Sequence, residues 1–190
     1  MKNDFMNAVE FSHFLIKKHL DTDSILIDAT AGNGKDTLFM AELTDQNTEI
    51  LAFDIQKKAV KNTQKLLEKN NLQAQVKVIH DSHANLDKYI NENQLSLVLF
   101  NLGYLPGGDK SIITKAQSTL EAVKKSLDFL KKYGIIILVI YKGHKGGLKE
   151  EKAIIDFVEA LDYKKYNVLK YEFINQAAKP PEVIAIIKRA

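Results

Sequence analysis

The feature that most constrains this 190-residue chain is a regular alternation of strand-sized apolar runs with stretches of helical period. The runs "SILIDAT", "EILAFDI", "QVKVIH", "LSLVLFNL" and "GIIILVIY" are dominated by Ile, Leu and Val. Strands this apolar belong inside a parallel sheet that is covered on both faces. Between them the pattern predicts helices over "KDTLFMAEL", over Lys57 to Lys69 with Ala59, Val60, Leu66 and Leu67 placed to pack, and over Thr114 to Leu130. A short helix near Ala84 to Ile90 and a longer one over "KEEKAIIDFVEAL" complete the set, and Phe5, Val9, Ser12, Phe14 and Ile16 outline an opening helix. The chain closes with "YNVLKYEFI" and "PEVIAIIKR", joined by "NQAAKP" without a helix, so the last strand should run antiparallel to its predecessor. The expected fold is α/β: a mostly parallel seven-stranded sheet, helices on both faces and an antiparallel C-terminal strand, in one domain over residues 1–190.

Composition narrows the chemistry. Cysteine is absent, which removes disulfides, thiolate metal sites and cysteine nucleophiles together. The apolar run Ile135 to Ile140 is strand-sized and too short to span a bilayer, and the N-terminal segment carries Asp4 and Glu10 where a signal peptide would be uninterrupted. The expectation is a cytoplasmic protein with no membrane partner. A net charge of +3 permits a polyanionic partner without demanding one. Lysines cluster at 57–69, 124–132, 142–152 and 164–170, where solvated helix faces are the plain reading.

In an open parallel sheet the ligand sits beyond the carboxyl ends of the strands. The first such end carries "DATAGNGKDT", Asp28 to Thr37. Gly32 and Gly34, with Asn33 between them, allow a tight turn and close approach of backbone to a ligand. A phosphate loop needs Gly-Lys-Ser or Gly-Lys-Thr, but Lys35 is followed by Asp36, which would repel a triphosphate. The dinucleotide fingerprint fails as well, because Thr37 stands where its third glycine belongs. Asp28 and Asp36 make better sense facing a cation, and S-adenosylmethionine carries a sulfonium and an ammonium but no phosphate. A structural turn remains the rival explanation of the loop alone. Asp54 ends the second strand where an acid commonly binds ribose hydroxyls, with Gln56 beside it. The third strand ends in "HDSH", where Asp81 can accept from an adenine amino group and Ser82 and His83 flank the base. No third ligand stands at metal spacing from His80 and His83, so no metal is expected.

The fourth strand delivers Asn101, followed by Tyr104 and the glycine loop "LPGGDK". Amino-methylating enzymes often carry Asn or Asp here, then two prolines and an aromatic residue; both prolines are missing from Asn101-Leu102-Gly103-Tyr104. Methyl transfer from a sulfonium is an in-line displacement, so the protein mainly positions a lone pair. Asn101 can accept a hydrogen bond from the target amine and Tyr104 can stack on a base. An aliphatic amine must first lose a proton, and Asp109 and His144 are the candidate bases, with Asp109 favoured and a plain turn or helix-cap role its rival. Two further loops, "YKGHKGG" and "INQAAKPP", should reach the same rim, making Lys142, Lys145 and Lys149 candidate phosphate contacts and Asn175 and Gln176 candidate base-edge contacts.

Five β–α units with a terminal hairpin have the count and order of the class I methyltransferase fold. The segments "DATAGNGKDT", "FNLGYLPGGDKSI", "YKGHKGG" with Glu150 following, and "FINQAAKPP" together resemble the small bacterial methyltransferases long labelled rRNA methylases, over nearly the whole chain. The resemblance implies a tRNA substrate at the anticodon arm: methylation of the amine of 5-aminomethyl-2-thiouridine at the wobble position to 5-methylaminomethyl-2-thiouridine. It also implies that the opening helix and the rim loops read the RNA, and a homodimer would extend that footprint. The alternatives are an rRNA or DNA base-amine methyltransferase, a small-molecule methyltransferase, and a non-catalytic nucleotide- or RNA-binding module.

Overall fold

The computed structural model describes residues 5–45, 47–91, 95–107, 113–143, 146–177 and 180–189. Seven strands form one sheet: β1 (Ile25–Asp28), β2 (Glu49–Phe53), β3 (Val76–Ile79), β4 (Leu95–Asn101), β5 (Leu130–Ile140), β6 (Tyr166–Tyr171) and β7 (Glu182–Lys188). Their spatial order is β3-β2-β1-β4-β5-β7-β6. β1 to β5 pair in parallel, and β7 runs antiparallel to both β5 and β6. Every residue of β1 is buried, as are the first six of β4, which is why these strands read as unbroken apolar runs.

Helices α1 (Ala8–His19), α2 (Lys35–Leu43) and α3 (Lys57–Lys69) cover one face through Leu15, Ile16, Met40, Ala41 and Leu67. A 3-10 helix (His83–Lys88), α4 (Ala116–Phe129) and α5 (Gly147–Glu159) cover the other through Leu86, Ala122, Val123, Leu127, Ile154 and Val158. The chain leaves β1 for one neighbour, β2, and returns to the sheet beside β1 on the other side as β4. The crevice between their carboxyl ends is therefore the place where such a sheet offers a ligand site.

Three expectations are corrected. The opening helix buries Ala8, Ser12, Leu15 and Ile16, while Phe5 and Phe14 stand exposed, because the core-facing stripe lies one position off the aromatic residues. Its start is fixed by a capping box between Asn7 and Glu10. The segment near Ala84 to Ile90 winds as a 3-10 helix from His83, with the Ser82 hydroxyl accepting from Ala84 N. The helix expected to reach Leu130 stops at Phe129: Leu130 already pairs with Leu95, and Ile135 with Leu97. The extra residues between form a bulge in which Tyr133 takes a left-handed φ of 63°.

Candidate functional site

A cleft of about 990 Å³ opens at the carboxyl ends of β1, β2, β3 and β4. That is the upper end of the usual range for small-molecule sites, with room for a nucleoside-sized ligand and a second flat group. Its floor is the loop between β1 and α2. Gly32 and Gly34 take φ of 56° and 81°. At Gly34 a Cβ would stand 2.9 Å from the Thr63 Cα, so this glycine is required by the contact of α2 with α3 as much as by the turn. The loop is tied down on both sides. Asp54 Oδ2 accepts from Gly32 N at 3.0 Å, and Asn33 Nδ2 donates to the Pro106 carbonyl at 3.1 Å.

The acids at the strand ends divide by depth. Asp54, Asp81 and Asp36 line the cleft. Asp54 Oδ1 also accepts from Gln56 N at 2.8 Å, and the second lone pair on each oxygen is left for hydroxyl donors. Asp81 takes Ser82 N and Asn85 Nδ2 on Oδ1 and the Tyr89 hydroxyl on Oδ2; these donors, Asn85 foremost, hold its pKa below the ordinary carboxylate value. Asp28, expected in the cleft, is fully buried beneath it and accepts from Thr37 Oγ1 at 2.5 Å and Thr30 N at 3.1 Å. Burial first, then the negative charges of Asp36 and Asp54, push its pKa up to about 7. Thr30 in turn accepts from Asn101 N through its hydroxyl at 2.7 Å, so Asp28 holds the rim from below. His83 is buried at the cleft wall with Nδ1 2.9 Å from the Ala29 carbonyl. A carbonyl can only accept, so Nδ1 carries the proton and Nε2 presents a lone pair. Burial lowers the His83 pKa, which keeps the ring neutral.

At the end of β4 the sequence-predicted Asn101 meets two residues from the other side of the cleft. Asn101 Nδ2 donates to Asp36 Oδ2 at 2.8 Å, and Asp36 Oδ1 stands 2.8 Å from His13 Nε2, whose ring stacks on Phe39 with centroids 3.8 Å apart. Burial would raise the Asp36 pKa, but the hydrogen bonds from His13 and Asn101 bring it below its ordinary value. A carboxylate only accepts, so the orientation of the Asn101 amide is fixed: its nitrogen faces Asp36 and its oxygen remains an acceptor. His13 belongs to α1 and carries no motif, and only the fold brings it to Asp36, 23 positions away.

The segment after β4 is tied to α4 and α5. Gly103 N donates to Thr114 Oγ1 at 3.0 Å, and Thr114 Oγ1 and Thr119 Oγ1 donate to the buried Glu150 at 2.8 and 2.7 Å. Tyr104 stands at the rim, 44% exposed and bridged to Ile113. Lys142, expected at a phosphate, has a side chain only 9% exposed, with Glu182 at 2.5 Å, Glu172 at 2.6 Å and Glu151 at 3.3 Å. Its charge is matched within the fold; the Glu182 contact is an ion pair by distance, without hydrogen-bond angles. Hydrogen bonds from Lys142 and Lys170 bring the Glu172 pKa down to about 2. Pro180 and Pro181 line the cleft, whereas Asn175 and Gln176 are exposed outside it. Lys149 is likewise exposed and outside the lining. Asp109, His144 and Lys145 lie outside the described residues. Among the described residues no group of three or more His, Cys, Asp or Glu side chains could hold a metal, and no helix is long and apolar enough to cross a membrane.

Known structures share this architecture. A "putative rRNA-methylase" from Clostridium thermocellum superposes with a TM-score of 0.94 at 42% identity, over 98% of this chain and all of the other. SMU.1697c, a "putative methyltransferase" from Streptococcus mutans in complex with SAH, gives 0.88 at 38% identity over 97% and 99% of the two chains. The fold, the switch-point cleft and these matches define a class I, S-adenosylmethionine-dependent methyltransferase. The chloroplastic tRNA (mnm(5)s(2)U34)-methyltransferase of Arabidopsis thaliana is 35% identical over 182 residues; the match covers 91% of this chain and 66% of that protein, so the chain spans about two thirds of that relative. With residues 50–187 matching the family described as "Putative rRNA methylase", the chain belongs to that family.

Proposed function

We propose that this protein methylates tRNA at the wobble position, converting the aminomethyl nitrogen of 5-aminomethyl-2-thiouridine to methylaminomethyl. The observation that carries the reading is the Asp36–Asn101 contact, which commits the Asn101 amide nitrogen and leaves its oxygen to accept from an N–H nucleophile at the cleft rim. The name of the Arabidopsis relative supports the choice of nucleoside.

The cleft suits a cationic nucleoside cofactor. Asp36 and Asp54 line it, the buried Asp28 lies beneath them, and burial first, then repulsion from the two acids, raises the Asp28 pKa; a positive ligand relieves the repulsion. Asp54 and Gln56 would hold the ribose, Asp81, Ser82 and His83 the adenine, and Gly32 and Asn33 the amino-acid arm, with Gly34, outside the cleft lining, fixing the turn behind them. Bound there, S-adenosylmethionine supplies an electrophilic methyl group. The chain's own residues do the rest. Asn101 orients the amine, Tyr104 offers a face on which a single-stranded base can stack, and Asp109, with His144 as the second candidate, removes the ammonium proton before attack. Positioning and deprotonation of the nucleophile are the contributions asked of the protein.

Mass spectrometry of tRNA nucleosides from a deletion strain tests the reading. Loss of 5-methylaminomethyl-2-thiouridine with accumulation of the 5-aminomethyl precursor is expected. Unchanged levels, in a strain where no second enzyme makes the same nucleoside, would overturn it and favour the rRNA or DNA base-amine reading that the Asn101…Tyr104 pairing also admits.

A further inference from the structure

We propose that the solvent face of α3 is the docking surface for the phosphate backbone of the RNA arm that delivers its base to the cleft; this rests on the tRNA reading above. α3 carries Lys57, Lys58, Lys61, Lys65 and Lys69 against a single acid, Glu68. At 100° per residue the five lysines fall within about 120° of arc, opposite the buried Ala59, Thr63 and Leu67. Lys57, Lys61, Lys65 and Lys69 follow one another at four-residue intervals, about 6 Å apart along the axis, forming a cationic row about 18 Å long.

The row differs from the lysines that the fold uses for itself. Lys125, Lys131, Lys142, Lys152 and Lys170 each lie against carboxylates. Among the described residues none of the five on α3 has a carboxylate within ion-pair distance, and all five are exposed.

The position of the row fits the task. α3 starts beside Gln56, a cleft residue, and Lys58 Nζ donates to the carbonyl of Gly107 at 2.8 Å, joining the head of the row to the loop after β4. Lys35 and Lys115 add two cations to the cleft lining. Cations therefore stand both at the cleft, where a base would enter, and along the helix that starts beside it. A regularly repeating polyanion fits such a row, and phosphate contacts of this kind position an RNA without reading its sequence.

The test is the double reversal Lys61→Glu/Lys65→Glu, compared with Lys164→Glu/Lys165→Glu, exposed lysines at the opposite end of the sheet. Methylation of tRNA that carries 5-aminomethyl-2-thiouridine at the wobble position is followed as a function of salt, and binding of an anticodon stem-loop is measured directly. The α3 variant should raise the KM for tRNA about tenfold or more and reduce the slope of log affinity against log salt by about 1.5 to 2. It should keep the thermal shift that S-adenosylhomocysteine produces, and the control pair should match wild type throughout. Wild type that methylates tRNA with an α3 variant indistinguishable from it overturns the docking surface alone, leaving the row to an acidic protein partner. Wild type that turns over free amines and ignores tRNA overturns the functional reading itself.

Discussion

The residue that organises most of the cleft rim is Asp36. Its two oxygens take one donor from α1 and one from the end of β4, so a single carboxylate decides which way the Asn101 amide faces. Asp36→Asn removes that constraint: an amide at this position can donate to the Asn101 oxygen and turn the acceptor away from the incoming amine. We expect Asp36→Asn and Asn101→Ala each to lower kcat about 100-fold, and the double variant to be no worse than the poorer single, because both remove one device. Additive losses would show that Asp36 acts on the cofactor alone. The acids at strand ends are legible in sequence because the sheet rule says where to look, and Asp54 and Asp81 reach the cleft as that rule requires. Depth is not legible. Nothing in the motif itself distinguishes Asp28, which sits under the floor, from Asp36, which lines the wall; burial, the Thr37 hydroxyl and the Thr30 backbone N–H make the difference.

At the scale of elements, the glycine loop shows how one sequence signal can serve two causes. Gly34 reads as a ligand-binding glycine, yet the α2–α3 contact alone forbids a side chain there. Gly34→Ala combines a left-handed backbone with an overlap on Thr63 and should cost roughly 3 kcal/mol or more, measured by urea unfolding. Gly107→Ala shares the left-handed φ, with nothing within 4 Å of its Cβ, and should cost about 1 to 2 kcal/mol. Equal costs would mean that backbone strain alone explains both. The span of α3, Lys57 to Lys69, was readable from its period, whereas the end of α4 was not, because the β5 bulge that begins at Leu130 depends on pairing with β4. Likewise the link from Thr114 and Thr119 to Glu150 joins residues more than thirty positions apart, beyond the reach of any local pattern.

For the whole molecule, the parallel sheet and its antiparallel finish follow from the order of apolar runs, since strands buried on both faces have few other arrangements. The internal charge balance follows only from the assembled fold. Asp28, with a pKa of about 7 in the folded chain against an ordinary 3.8, holds a proton between those values that the unfolded chain has released. Its contribution to stability therefore falls as pH rises through that window, by on the order of 4 kcal/mol at most. Asp28→Asn does not titrate, so the difference in unfolding free energy between wild type and variant should shift in the variant's favour from pH 4.5 to 7.5. A difference that stays constant would mean the carboxyl is ionised throughout.

That buried carboxyl also gives the cleft a reserve of negative charge. A cation bound beside Asp36 and Asp54 opposes the repulsion that helps hold the Asp28 proton, so cofactor binding should release part of a proton near neutrality, and calorimetry in buffers of different ionisation enthalpy would read that release.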